Sequence, residues 1–200
     1  GKPAFKTVPG YHWTTCLTLN DEVVHGIPRQ ILLEDGDLLT VDIGAIYKGW
    51  YTDCAWTVVV GGNVDSQKRK FLETGENSMW AAIKKAVAGN RIGDISSAMQ
   101  KVIEGDGCAV VRSLSGHGVG KTYHEEPEVP GYGKAGNGMV LEANMTLAIE
   151  SIYTKGEGEI YQKEDGWTLA SLDGSWGGMF EMTVIVGRDS PEVITDWRRV

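Results

Sequence analysis

Two adjacent stretches decide the fold: LLTVDIGAIY, residues 38–47, and WYTDCAWTVVV, residues 50–60, with only Lys48-Gly49 between them. Both are rich in β-branched and aromatic residues, and glycine supplies the positive φ of a tight turn, so they read as the strands of a hairpin. Pairing Tyr47 with Trp50 sets Asp42 opposite Ala55 and Asp53 opposite Gly44. The two aspartates then lie diagonally on one face, because cross-strand partners share a side and a step of two returns to it. Aspartate is depleted in buried strands, so each needs an explanation. Two carboxylates this close repel each other and must share a proton or a cation.

Outward from the hairpin, residues 64–87 carry Phe71, Leu72, Met79, Trp80, Ile83 and Val87 at helical spacings, with Gly75 as a weak point. A second helix is expected over residues 94–104, with Ile95, Met99, Val102 and Ile103 on one stripe and glycines 105 and 107 ending it. Residues 145–152 and 179–186 read as further strands, each with one glutamate, Glu150 and Glu181. Strands, then helices, then strands, without regular alternation, predict one α+β domain over residues 1–200.

Composition narrows the function. Of 200 residues, 42% are hydrophobic and 23% charged, ordinary values for a soluble globular chain. The net charge of −8 argues against nucleic acid or an anionic membrane as a partner. The longest apolar runs, such as residues 56–60, are too short to span a bilayer. Cys16, Cys54 and Cys108 are odd in number and widely spaced, which points to a reducing, cytoplasmic home. The chain opens on Gly1 rather than methionine, so a processed or trimmed amino terminus is expected.

Between the two strand pairs lie Gly116-His117-Gly118-Val119-Gly120 and His124-Glu125-Glu126-Pro127. Taken singly, each polar residue has a plain role: a strand aspartate caps a turn, a strand glutamate faces water, Gly-His-Gly makes a turn, and Glu125 and Glu126 solvate a loop. His12 and His25 could be ordinary satisfied histidines. Four strand carboxylates with one glycine-flanked imidazole form an oxygen-rich, nitrogen-poor set of the kind that holds two divalent metals. Such a pair can polarise a carbonyl and generate hydroxide at neutral pH.

At this spacing the chain resembles the pita-bread metallopeptidases and, within them, the type I methionine aminopeptidases. Asn20-Asp21-Glu22-Val23-Val24-His25-Gly26-Ile27-Pro28 is similar to the segment around that family's active-site histidine. Asp42 and Asp53, eleven residues apart, match its metal aspartates; His117 matches its metal histidine and His124 its substrate-side histidine. Glu150 and Glu181 match its metal glutamates, with Asp165-Gly166-Trp167-Thr168 between them. The similarity runs over residues 5–186.

The resemblance implies a curved antiparallel sheet flanked by helices with a pseudo-twofold, and two divalent ions, whether cobalt, manganese, iron or zinc. Asp53 and Glu181 would bridge them, Asp42 would complete one, and His117 with Glu150 the other. The implied activity is removal of the amino-terminal methionine from nascent polypeptides with a small second residue. A metal-bound hydroxide would attack the first peptide bond, Glu150 would shuttle the proton, and His25 and His124 would contact the peptide. Tyr11, Cys16, Tyr123 and Trp167 align with the methionine pocket, where sulfur–aromatic contacts are favourable; core packing is their plainer role. Alternatives are a catalytically inactive binding module on the same fold and an X-Pro aminopeptidase. A monomer acting on nascent amino termini is expected; docking at the ribosome is not legible in the residues.

Several positions depart from the family pattern. Met179 and Met182 stand two before and one after Glu181, where glutamine and histidine are usual, so the groups supporting that glutamate should differ. Pro9 stands where a histidine is common and His12 where a proline is usual, so His12 inherits no role. The helical segment that precedes this point in the family is expected to be absent.

Overall fold

The computed structural model describes residues 1–62 and 64–196. In chain order its strands and helices are β1 (Lys2–Pro3), β2 (Cys16–Leu19), β3 (Glu22–Val24), β4 (Leu38–Tyr47), β5 (Trp50–Val59), α1 (Ser66–Ile83) and α2 (Ile92–Gly105). There follow β6 (Ala109–Val110), β7 (Ser115–Gly118), β8 (Glu125–Pro130), β9 (Thr146–Thr154), β10 (Ile160–Gln162), β11 (Leu169–Ser171), β12 (Gly177–Ile185) and β13 (Glu192–Val193).

The central hairpin has the register its turn predicts: Tyr47 pairs with Trp50, Asp42 with Ala55 and Gly44 with Asp53. Lys48 and Gly49 take φ of 50° and 80°, the left-handed pair that matches the twist of the flanking strands. A ten-stranded sheet runs β1-β4-β5-β12-β9-β7-β8, with β2 on β4, β6 on β9 and β13 on β12. Strands β10, β11 and β3 form a second, smaller sheet. Pairing between the named strands is antiparallel, and the two long pairs, β4–β5 and β9–β12, meet at β5–β12. That meeting of antiparallel neighbours is what a pseudo-twofold normal to the sheet requires.

Both helices cover one face. Asp65 starts α1 by accepting from the backbone N–H groups of Gln67 and Lys68 at 2.9 and 2.8 Å. Phe71, Met79, Ile83, Ile95, Met99 and Ile103 pack on Leu147, Ile149, Tyr153, Phe180, Met182 and Val184. Those strand residues are odd-numbered in β9 and even-numbered in β12. Strand alternation therefore turns Ala148, Glu150, Glu181 and Thr183 to the opposite face.

Three expectations change. Helix α1 runs unbroken through Gly75, where a Cβ would stand 2.4 Å from Tyr153 Oη and 2.5 Å from Phe180 Cδ2. Gly75 is thus the point at which the helix seats on the sheet, not a weak point in it. The helix stops at Ile83, and Val87 instead bridges Gly187. Glu125 and Glu126 open β8 rather than a loop, and the Glu125 carboxylate accepts from Thr122 N at 2.7 Å. Among the described residues no helix is long and apolar enough to cross a membrane.

Overpacking a tight interface costs about 1–3 kcal/mol, more than the ~1 kcal/mol gained in helix propensity. Gly75→Ala should therefore lower the melting temperature. Gly105→Ala, where a Cβ meets nothing within 4 Å, should raise it slightly; thermal denaturation of the two variants checks both signs.

Candidate metal centre and peptide cleft

Cross-strand pairing builds the site as two parallel rows. Cys16 faces Asp42, Asp42 faces Ala55, Ala55 faces Glu181, and Glu181 faces Glu150, so one row crosses five strands. Two residues along, Gly44 faces Asp53, Thr183 faces Ala148, and Ala148 faces His117. The Thr183 hydroxyl closes this second row by bonding the Asp53 backbone N and O at 2.7 and 2.8 Å. Four carboxylates and one imidazole thus project from a single face of β4, β5, β7, β9 and β12.

Each carboxylate is almost out of water: Asp42 and Glu150 are 7% exposed, Asp53 5% and Glu181 1%. Among the described residues no lysine or arginine pairs with them. Burial, reinforced by neighbouring carboxylates, holds Asp42, Glu150 and Glu181 well above the usual carboxylate range. Burial also lifts Asp53 to about 7, against the lowering effect of hydrogen bonds from Tyr123 and Cys54. Among the described residues, Asp42 Oδ1 and both Glu181 carboxylate oxygens have no hydrogen-bond partner.

His117 is set up as a neutral ligand. Its Nδ1 lies 2.8 Å from the Gly118 carbonyl, which can only accept, so Nδ1 carries the proton and Nε2 the lone pair. Nε2 lies 3.9 Å from Glu150 Oε1. Burial lowers the imidazole to about 4, so it is neutral at pH 7. Asp53, His117 and Glu181 each bring one donor atom within 4.8 Å of the others. Orphaned carboxylate oxygens, uncompensated buried acid and a neutral imidazole held by a backbone carbonyl all fit divalent cations.

The rows floor a cleft of about 250 Å³ that gathers the expected substrate-side residues His25, His124, Tyr11, Cys16, Tyr123 and Trp167. Tyr11 meets Trp167 edge-on at 5.1 Å, and Phe5 links Tyr11 to Tyr123 at 5.5 and 5.4 Å, giving a continuous aromatic wall. His124 lies against His117 with ring centroids 4.2 Å apart and the planes tilted by 49°. His25 stands at the mouth in the left-handed region, φ 59°. The next residue explains how it is kept there: a Cβ at Gly26 would meet Leu17 O at 2.1 Å, and Gly26 O accepts from Leu17 N at 2.8 Å. Desolvation lowers both His25 and His124, and the neighbouring His124 lowers His25 further. His12 is exposed and lies outside the cleft.

Some supporting residues were not foreseen. Glu22, 3% exposed, takes Arg29 and Lys163 on Oε1 at 2.8 Å each and accepts from Leu19 N on Oε2 at 2.9 Å. One carboxylate thereby ties the segment carrying His25 to the loop carrying Trp167. Asp165 shapes that loop by accepting from the backbone N–H groups of Trp167 and Thr168 at 2.8 Å each. Phe5, Val24, Leu114, Ser115, Ile152 and Met179 also line the cleft. Strand parity gives away two of them, since Ile152 lies two past Glu150 and Met179 two before Glu181. Parity also corrects the expectation for Met182, which points among the helices, fully buried in the core. Only the exchange at Met179 touches the cleft.

Residues 5–188 match metallopeptidase family M24, and the chain belongs to that family. Methionine aminopeptidase from Clostridium perfringens is 38% identical over 193 residues, 96% of this chain and 77% of that protein. A crystal structure of methionine aminopeptidase from Thermotoga maritima superposes with a TM-score of 0.93 at 41% identity, covering 96% of this chain and 77% of that one. Prolidase from Pyrococcus furiosus, at 24% identity and a TM-score of 0.72 over 91% of this chain and 48% of its own, shares the fold. The fold is therefore the pita bread of this family.

A carboxyl whose pKa is raised on folding costs stability above its unfolded pKa, and Glu181, buried opposite Glu150, is such a group at neutral pH. Glu181→Gln should raise the melting temperature of the metal-free protein. Manganese at 100 times its dissociation constant should add about 2.7 kcal/mol to the wild type, or roughly 5–10 °C at this size. The variant should show little of that gain, which differential scanning calorimetry with and without the metal will measure.

Proposed function

We propose that this chain removes the amino-terminal methionine from polypeptides with a small second residue, using two divalent ions. The observation that carries this reading is the conjunction of the carboxylate rows with a 250 Å³ cleft whose wall is aromatic and sulfur-bearing. That cleft takes one flexible, polarisable side chain, and thioether–aromatic contacts favour methionine. The relatives named methionine aminopeptidase support the same assignment.

In this reading Asp42, Asp53, His117, Glu150 and Glu181 would hold the ions, with Asp53 and Glu181 shared between them. Oxygen donors with a single imidazole accept manganese, iron, cobalt or zinc. Bound there, the ions supply Lewis-acid polarisation of the scissile carbonyl and lower the pKa of water. The rest is the work of side chains. Glu150, a buried carboxylate at the floor of the cleft, would be the acid–base group that passes a proton to the peptide nitrogen. His25 and His124 line the cleft as neutral imidazoles and give the peptide hydrogen bonds without bringing a competing positive charge. Tyr11, Cys16, Tyr123 and Trp167 exclude water from the bound side chain. We read the chain as one catalytic domain with a cytoplasmic home; nascent amino termini as substrates and three unpaired cysteines favour that location.

Mass spectrometry of Met-Ala-Ser and Ala-Pro-Ser peptides tests the assignment, with manganese or cobalt loading and a chelator control. Chelator-sensitive loss of methionine from the first peptide alone is expected; cleavage of Ala-Pro-Ser in preference would replace the assignment with an X-Pro peptidase. His117→Ala should lose metal and activity together. His25→Ala should keep its metal content and lose about 100-fold in turnover, the usual cost of one polar contact to the reacting group.

A further inference from the structure

Glycine in a strand interior costs stability, yet Gly44 lies within β4 directly opposite Asp53. A Cβ there would stand 2.3 Å from the Tyr123 hydroxyl oxygen and 2.7 Å from Ala4 Cβ. The bare position opens a path from the aromatic wall to the second row. Through it Tyr123 Oη donates to Asp53 Oδ1 at 3.0 Å, while Cys54 N donates to the same oxygen at 3.1 Å. An aspartate carboxylate is otherwise soft about its terminal torsion, and two donors on one oxygen fix its plane. The phenol is itself held, 6% exposed, edge-on to Phe5 at 5.4 Å and 5.9 Å from Tyr51. It comes from the residue just before His124, on a segment remote in sequence from the strand it reaches.

We propose that Tyr123 is a positioning residue for Asp53: its hydroxyl, admitted by Gly44, fixes the carboxylate in the orientation that serves the metals. The side-chain pocket and the metal centre therefore share one hydrogen bond. This inference rests on Asp53 being a metal ligand, and the experiment separates the two ideas.

The test is calorimetric titration of the metal-free protein with manganese, for the wild type, Tyr123→Phe, Gly44→Ala and Asp53→Ala. Tyr123→Phe keeps the ring and its packing and removes only the donor. Its manganese dissociation constant should rise by about tenfold or more, the usual effect of losing a group that orients a ligand. Its manganese-dependent gain in melting temperature should shrink by more than its metal-free melting temperature falls. Gly44→Ala should weaken manganese binding by displacing the hydroxyl, and should weaken it by a smaller factor in the Tyr123→Phe background, where the ring and Ala4 are still crowded but no donor is left to displace. If Tyr123→Phe binds manganese as the wild type does while Asp53→Ala does not, Asp53 is a ligand that needs no help and the proposal is overturned. A Tyr123→Phe protein that loses only metal-free stability also overturns it. If Asp53→Ala and wild type bind manganese alike, or neither binds, the ligand assignment of Asp53 falls and the role of Tyr123 with it.

Discussion

Four buried carboxylates on neighbouring strands of one sheet face are the constraint that the rest of the molecule accommodates. Strands lie about 4.8 Å apart, so residues a row apart cannot escape each other by moving sideways. Isolated charges of one sign, out of water, are costly to hold together. What holds them is the opposite face. There β9 and β12 bury Leu147, Ile149, Tyr153, Phe180, Met182 and Val184 under two helices, and the pairing continues through nine consecutive residue pairs. A sheet clamped from behind keeps its front rigid, and the front then presents acid to any cation that enters. Cohesion and reactivity are separated by the thickness of one sheet.

The cleft follows a different logic from its floor. Its wall comes from short elements and loops, which regular pairing alone does not fix, and single polar residues hold them instead. Glu22 joins Arg29 to Lys163 from a nearly dry position, and Asp165 sets the turn that delivers Trp167. A carboxylate left unpaired at Glu22 would be severely destabilising, which gives the loops a reason to stay docked. The scheme places precise ligands on strands and the adjustable pocket on loops pinned by buried charge.

Much of this was legible from residues 38–60, where the Lys48-Gly49 turn sets the register and the register sets the two aspartates side by side. The helices were legible from their apolar period, because period reports which face is buried. It does not report what the face meets, so Gly75 read as a weakness when it is a seat for Tyr153 and Phe180. The β8 strand was missed because Glu-Glu-Pro-Glu-Val-Pro has little strand propensity and forms at a sheet edge, where tertiary pairing decides. Four of the five proposed ligands were visible as acids where acids should not be, and the fifth, His117, as an imidazole flanked by glycines. The groups that orient them were not, since Tyr123 reaches Asp53 across seventy positions of sequence. No local pattern marks Gly44 as the space it needs.

Alternation along β12 sets Glu181 on the acid face and Met182 among the helices. A slip of one position in its pairing would exchange the two, driving a carboxylate into the apolar core and a thioether into the acid row. Both faces would then be wrong at once, so no gain on one side could compensate the other. The residues proposed to do the chemistry thereby act as a fidelity check on assembly: a chain that mispairs its central strand cannot persist as a compact, inactive look-alike, and is left open to proteolysis.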